Sequence, residues 1–583
     1  MRSLLKFYKL AYQKKYIFFA FIAILFLLIE TAVALFVPYI AKEIIDVALP
    51  SGNISEVYRL GGIVVGIALG SVIAMIINNV AAQYLSVYIS SDLAIATFEK
   101  IQKLSLSNVD QITSGRLLTI VSNDTVQIQN MIRMSFRVFL RAPITLVGAI
   151  IMAYITNANM FVVVLILVPV LSFILYYAFK KVAPLFRSLQ GKIDNLNSKL
   201  EETISGAREI KSFVTEIYEQ QKYELVNEDY NQAIIKSNRI LGTLNPLVMI
   251  VSNAAIAVII YISAVLINRG DTTMVGSVMT YIAYIQQIIG SLMIITNISV
   301  MISRAMVSAE RVDTVLLMEI DIENNPNPKF VELTGKIEFD NVDFAYLDEE
   351  GKSDGITLSG LNFKINPGET IGIIGSTGSG KTSLVQLITR MYDTINGKVL
   401  IDDVDVRLHD LKNLRKQISF VTQEAIIFEG TIADNILQGK EDASLEEMKE
   451  ASKLAEAYEF IEESTDGFDT YVAQRGASLS GGQRQRLSLA RALIRKPKIL
   501  VLDDSTSAVD ANTEAKIKEN LKQVDCTTLI VAQKISSIIE CDKILVIGND
   551  GKVDAFGKHE EILATSSVYQ EIYQSQFGGA LNE

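Results

Sequence analysis

The sequence predicts an α-helical membrane domain of six transmembrane helices with long cytosolic extensions, joined to an α/β domain built on a largely parallel sheet. Three observations predict it. Half of the 583 residues are hydrophobic, and with a mean hydropathy of +0.31 that exceeds what a soluble core requires. Charge divides along the chain: 26 Lys and Arg stand against 21 Asp and Glu over residues 1–320, a net of +5, and 28 against 44 in the remainder, a net of −16. The third is a change of pattern, from apolar runs of about 20 residues to short β-like runs alternating with helical ones.

In chain order, apolar stretches at residues 16–37, 58–81, 138–156, 160–179, 247–267 and 275–301 can each cross a hydrocarbon layer of about 30 Å as helix. The first is longer than a cleavable signal core and has no small-residue cleavage pattern after it. Lys and Arg crowd the opening (Arg2, Lys6, Lys9, Lys14, Lys15) and the segment after the fourth span, while the loops PSGNISE and TNANM have none. That bias puts both termini in the cytosol of a multi-pass inner-membrane protein. RSLLKFYKLAYQKKY, with Leu4, Leu5, Tyr8 and Tyr12 at helical spacing, fits a helix along the inner surface. Residues 83–132 and 180–244 read as helical extensions into the cytosol.

Past Arg311 the apolar runs stop. IENNPNPKF supplies a joint, giving expected boundaries of 1–318 for the membrane domain, 319–333 for a linker and 334–583 for the second domain. There KIEFDNVDF, ETIGIIG, KILVLD, TTLIVA and KILVIG alternate with helical stretches. Two cysteines, Cys526 and Cys541, and two histidines, His409 and His559, exclude a disulfide scaffold and make a zinc site of Cys or His implausible. The acidic balance of this half argues against a nucleic-acid partner.

GSTGSGKT fits the phosphate-loop pattern between strand TIGII and helix SLVQLITRMY. Gly375, Ser376, Thr377, Gly378, Ser379 and Gly380 let backbone N–H groups and the helix start, with Ser383, surround phosphates. Lys381 adds a charge for the outer phosphates and Thr382 a hydroxyl for Mg²⁺. Asp503 ends the buried run ILVLD, where a carboxylate that holds Mg²⁺ sits; alternatively it caps a helix. ATP and Mg²⁺ are the expected cofactors of this α/β P-loop NTPase domain.

LSGGQRQR, residues 479–486, stands about 100 residues after the phosphate loop and about 20 before Asp503. The pairing resembles the ATP-binding cassette, and six spans followed by it resemble an exporter half-transporter over essentially the whole chain. The resemblance implies that two cassettes close head to tail around ATP. It implies Tyr346 as the adenine platform, Gln423 as the Mg²⁺ sensor, Ser480, Gly481, Gly482 and Gln483 as the grip on the partner's nucleotide, and Asp510 as the aspartate between cassettes. It also implies coupling segments at ITSGRLLTI (112–120) and SGAREIKSF (205–213), which as bare sequence read as amphipathic helices.

Two positions depart from that pattern. Asp504 stands where such exporters have the glutamate that polarises the attacking water, and one methylene fewer withdraws the carboxylate by on the order of 1.5 Å, against a working reach of about 2.6–3.2 Å. Gln533 stands where they have a histidine, and an amide carries neither its proton nor its charge. Tyr471 and Gln474 also replace two frequent glutamates. The pattern resembles the degenerate-site chain of heterodimeric bacterial multidrug-type exporters, which implies a second half-transporter as partner. The alternatives are a homodimeric lipid or drug flippase with slow ATPase, and a membrane ATP sensor that transports nothing. Drugs, lipids and peptides all fit the architecture as amphipathic substrates among membrane lipid; that no peptidase domain precedes the first span speaks against a processing peptide exporter.

Within the spans, Glu30 costs roughly 2.5–3.5 kcal/mol to insert and is expected to meet a cavity or a partner helix. Arg133, Arg137 and Arg141, four residues apart, are expected on one face, either attracting anions or solvated on a cytosolic extension. Gly62, Gly66 and Gly70 suggest close helix packing. Tyr281, Tyr284 and Gln287 suggest either a pathway lining or bonds between helices.

Overall fold

The computed structural model describes residues 16–268, 275–346 and 355–577. The surface helix expected before Tyr16 lies outside them. Their contacts divide the chain into two units: residues 1–101 with 118–318, and residues 102–117 with 319–583.

The first unit is helical. It contains α1 (Ile17–Glu43), α2 (Ile54–Lys103), whose last two residues fall with α3 (Leu106–Ile112) and most of α4 (Ser114–Thr119) in the second unit, then α5 (Thr125–Met134), α6 (Arg141–Thr156), α7 (Phe161–Ser205), α8 (Ala207–Phe213), α9 (Glu216–Asn268) and α10 (Val275–Leu317). Among the described residues six helical segments are long and apolar enough to cross a membrane. Their length follows from propensity and composition together: the spans are rich in Leu, Ile, Val and Ala, and a proline can be accommodated where another helix supplies the missing donor.

Pro38 in α1 shows how. It has no N–H to offer the Ala34 carbonyl, and in an apolar surround an orphaned carbonyl is costly. Gln287 of α10 donates to that carbonyl at 2.9 Å, Tyr284 to Leu35 O at 2.9 Å and Thr280 to Pro38 O at 2.9 Å. Tyr281 shares its one hydroxyl proton between Ala153 O and Asn157 O at the end of α6. The last span's polar side chains therefore bond helix to helix, the second of the two expected readings.

At its outer end α1, continued by a π-turn at Ile44–Ala48, caps two neighbours. Asp46 accepts from the N–H groups of Gly276 (2.6 Å) and Ser277 (3.1 Å), the free donors at the start of α10. A Cβ at Gly276 would lie 2.9 Å from the Asp46 carboxylate, so glycine permits the approach. Lys42 donates to Thr156 O at the end of α6.

Two sequence expectations change. The arginines do not share a face. Five residues of π-helix, Ser135–Phe139, lie between them and shift the register of the helix beyond. Arg133 turns to Asn130 and Gln83, Arg137 is exposed, and Arg141 pairs with Glu30 at 2.7 Å. Gly62, Gly66 and Gly70 meet no described neighbour: a Cβ on each would have nothing within 4 Å.

The second unit holds two sheets. One is antiparallel, ordered β2 (Leu358–Ile365), β1 (Ile337–Phe344), β4 (Asn396–Ile401), β5 (Val404–Asp405). The other is ordered β12 (Val553–Gly557), β11 (Lys543–Ile547), β3 (Thr370–Gly375), β10 (Thr527–Val531), β9 (Ile499–Asp503), β6 (Ile418–Val421), parallel except at β12. β7 (Gly430–Thr431) pairs with β8 (Tyr471–Val472). Helices α11 (Lys381–Ile388), α12 (Leu411–Gln417), α13 (Ile432–Leu437), α14 (Leu445–Leu454), α15 (Tyr458–Glu462), α16 (Gly481–Leu493), α17 (Ala511–Leu521), α18 (His559–Thr565) and α19 (Ser567–Phe577) complete it. Every residue of β9 is buried, as a strand covered on both faces requires. Burying each of its aliphatic side chains stabilises the fold by roughly 1.5–3 kcal/mol.

Asp46→Ala should cost about 1–2 kcal/mol, the range for losing a helix cap, and lower the thermal midpoint of the detergent-solubilised protein followed by circular dichroism; Asp46→Asn, which keeps an acceptor, should lose less.

Candidate functional site

Parallel register builds the site. Val531 stands beside both Ile373 and Asp503, and Val421 beside Leu502, so the loops leaving β3, β10, β9 and β6 emerge along one edge. Those loops carry Gly375–Ser379, Gln533, Asp504 and Gln423. Open parallel sheets place ligands at this edge.

The loop after β3 needs its glycines at two points. Gly380 has φ +91°, and a Cβ there would lie 2.6 Å from Leu358 Cδ2; a Cβ on Gly375 would lie 2.4 Å from Ile547 O. Lys381 opens α11 and donates to Gly375 O (3.0 Å) and Ser376 O (2.7 Å). Burial draws its ammonium below the usual lysine range. Ser379 Oγ is buried without a described partner. Ser376 bonds Asn549, a residue that no motif singled out.

Thr382 Oγ1 lies 3.2 Å from Asp503 Oδ1. Asp504 takes φ +48°, a left-handed conformation that Asp tolerates better than most residues. Its Oδ2 accepts from Gln533 Nε2 at 3.0 Å and from Gln423 Nε2 at 3.2 Å. Burial raises both aspartates above the ordinary carboxylate range. Asp504, Gln533 and Gln423, each singled out separately in sequence, therefore meet on one oxygen.

Tyr346, just after β1, is 42% exposed. Its hydroxyl bonds Ser383 Oγ at 2.8 Å. Its ring stands edge-on to Phe344 and to Tyr392, with centroids 4.9 and 5.3 Å away, leaving an open aromatic surface. Tyr392 in turn donates to Asp110 at 2.5 Å, and Asn108 to Asp321 at 3.1 Å. These bonds lie within the second unit, to which residues 102–117 belong; the segment 112–120 that the sequence suggests overlaps that stretch at 112–117. The other segment forms α8, none of whose residues is buried.

The signature run starts α16. Ser480 caps it: Gln483 N donates to Ser480 Oγ (3.2 Å) and Ser480 N to Gln483 Oε1 (2.8 Å). Gly481 and Gly482 run against Ala508, where a Cβ would come within 3.3 and 3.0 Å. Gln485 holds the loop after β9, accepting from Ala508 N at 3.0 Å and donating to Ser507 Oγ. Asp510 caps α17 through Thr513 N, and those bonds keep its carboxyl below the usual range. Among the described hydrogen bonds, none links Ser480–Gln483 to the phosphate loop. Gln485 and Asn549 escape a reading of the sequence because each works only through a partner distant along the chain.

Compared with known proteins, residues 20–292 match the model of the ABC transporter transmembrane region, and residues 358–507 match that of the ABC transporter. An uncharacterized ABC transporter ATP-binding protein of Bacillus subtilis, YfiB, is 37% identical over 569 residues, 98% of each chain. The chain belongs to the ABC transporter family. It is 28% identical to the ATP-dependent lipid A-core flippase of Haemophilus influenzae, over 93% of this chain and 92% of that one. It is also similar to a solved bacterial Atm1-family ABC exporter with ATP bound (TM-score 0.77, 25% identity, 95% of this chain and 97% of that one). The chain is thus a multi-pass ABC exporter with an ATP-binding domain on the cytosolic side, of a family whose members couple ATP hydrolysis to transport as dimers.

The raised aspartates carry a pH dependence. A carboxyl whose pKa is higher folded than unfolded stabilises the fold fully below the unfolded value, and that stability is lost as pH rises through the folded one. Asp504→Asn, which keeps an oxygen for the two amides, should therefore raise the melting temperature of the nucleotide-free protein at pH 7 and leave it nearly unchanged near pH 3.

Proposed function

We propose that this chain is one half of a two-chain exporter, with residues 1–318 as its membrane domain and 334–583 as its nucleotide-binding domain, and that its own ATP site hydrolyses slowly. Tyr346 stacks on the adenine. The backbone from Gly375 to Ser383 and the Lys381 ammonium hold the phosphates, with Ser379 Oγ free to join them. Thr382, Asp503 and Gln423 would hold Mg²⁺, which would supply charge neutralisation for the phosphates. The residues fit that cargo: a hydroxyl and a carboxylate converge at 3.2 Å, and a lysine bonded only to carbonyls of its own loop can release them to phosphate. Ser480, Gly481, Gly482, Gln483 and Asp510 serve the partner's nucleotide.

The observation that carries the reading is the clamp on Asp504. A general base needs a free lone pair aimed at its water. Here two amide groups occupy one carboxylate oxygen, on a side chain already one carbon short. Gln533, the position of the expected histidine, is one of the two amides, so the two departures act on each other. Positioned-base loss commonly costs about 10²–10⁴ in rate. A partner chain with glutamate and histidine would then do most of the hydrolysis, completed by this chain's signature run. The substrate is an amphipathic molecule, whether drug, lipid or peptide; the relative named as a lipid A-core flippase supports a lipid.

Co-purification from native membranes followed by an ATPase assay tests the division of labour: the expected result is a second ABC chain and little turnover by this chain alone, whereas brisk turnover by this chain alone would sink it. In the purified pair, Asp504→Glu with Gln533→His should raise turnover at this site by about 10²-fold, read as phosphate release with the partner's own base removed.

A further inference from the structure

Arg141 begins α6 inside the membrane half and is held by Glu30 of α1 at 2.7 Å. The two sides of the pair differ in access. The Glu30 side chain is 10% exposed and that of Arg141 42%. Both line a pocket of about 260 Å³ whose other walls include Val33 and Val37 of α1 and Val72 and Met75 of α2.

A guanidinium has five N–H donors in a planar fork. Glu30 Oε1 is the described acceptor for Arg141 Nη1, and Arg141 itself lines the pocket, whose other walls are mainly apolar. The donors beyond that pair suit a planar or tetrahedral anion held by two parallel bonds. Glu30 neutralises the charge for insertion and fixes the direction of the fork. The Glu30 carboxylate, which a cation would need, is the more buried member of the pair and is already engaged.

We propose that Arg141, positioned by Glu30, is a subsite for the anionic head, phosphate or carboxylate, of an amphiphilic substrate whose first carbons lie against Val33, Val37, Val72 and Met75. This rests on the exporter reading above and narrows its substrate to anionic amphiphiles. The volume admits a head group and a short length of chain rather than a whole lipid.

The sequence contains no tryptophan, so Val72→Trp in full-length protein in zwitterionic nanodiscs gives a single emission from the pocket wall. Titrated without ATP, a brominated alkyl phosphate should quench it at a concentration at least tenfold lower than a brominated alkyl trimethylammonium of the same chain length. The double variant Glu30→Gln with Arg141→Gln, which buries no charge and so keeps the fold, should abolish that difference; Arg141→Lys should keep the preference but weaken binding severalfold. Equal quenching by the two probes, or an anion preference that survives the double variant, would overturn the assignment. Displacement of the quencher by inorganic phosphate at equal concentration would overturn the amphiphile in favour of a free anion. Because binding is read without ATP, anion preference combined with a failure of ATP-driven transport would support the subsite and count against the exporter reading alone.

Discussion

Parallel strand pairing in register is the constraint on which the site depends. β3, β10, β9 and β6 run in one direction and end at one edge, so residues separated by more than a hundred positions in sequence come within hydrogen-bond reach. Thr382 and Asp503 meet across that edge, as do Gln423, Asp504 and Gln533. The strands can hold such an edge because they are buried on both faces and bring no charged side chain into the core before their last residue. Asp503, at the end of β9, is the first polar group in its strand and is itself nearly buried.

Clustering acidic groups at a dry edge has an electrostatic cost. Burial disfavours the charge on both Asp503 and Asp504, and the neighbouring Lys381 offsets only part of it. The two glutamine amides add hydrogen bonds to the charged form. A histidine at residue 533 would answer the same problem with a proton, which it could also give up. The amide gives a fixed dipole, so the substitution exchanges a responsive partner for a static one.

Much of this architecture is legible in the sequence. Run length and the charge asymmetry indicate the spans, because hydrocarbon thickness fixes how many apolar residues a helix needs. The phosphate loop, Asp503 and the signature run are legible because each is a contiguous string whose spacing is set by one turn or one strand end. What stays hidden is pairwise. Nothing near Glu30 in sequence points to Arg141, and four-residue spacing places Arg133, Arg137 and Arg141 on one face because a π-turn leaves little compositional trace. The glycines of α2 look like a packing stripe, yet their face has no described neighbour. The family resemblance assigns Ser480 and Asp510 to a partner's nucleotide, while in the single chain they cap their own helices, work that any N-cap serine or aspartate performs.

The outer end of α1 holds α10 through Asp46 and α6 through Lys42. Three rods are thus tied at one tip, where open ends of α10 and α6 find partners on a neighbouring helix rather than in water. Wide π-turns interrupt the rods at that tip, Ile44–Ala48, and again at Ile120–Asp124 and Ser135–Phe139, below the start of α6; such turns are among the places where helices bend.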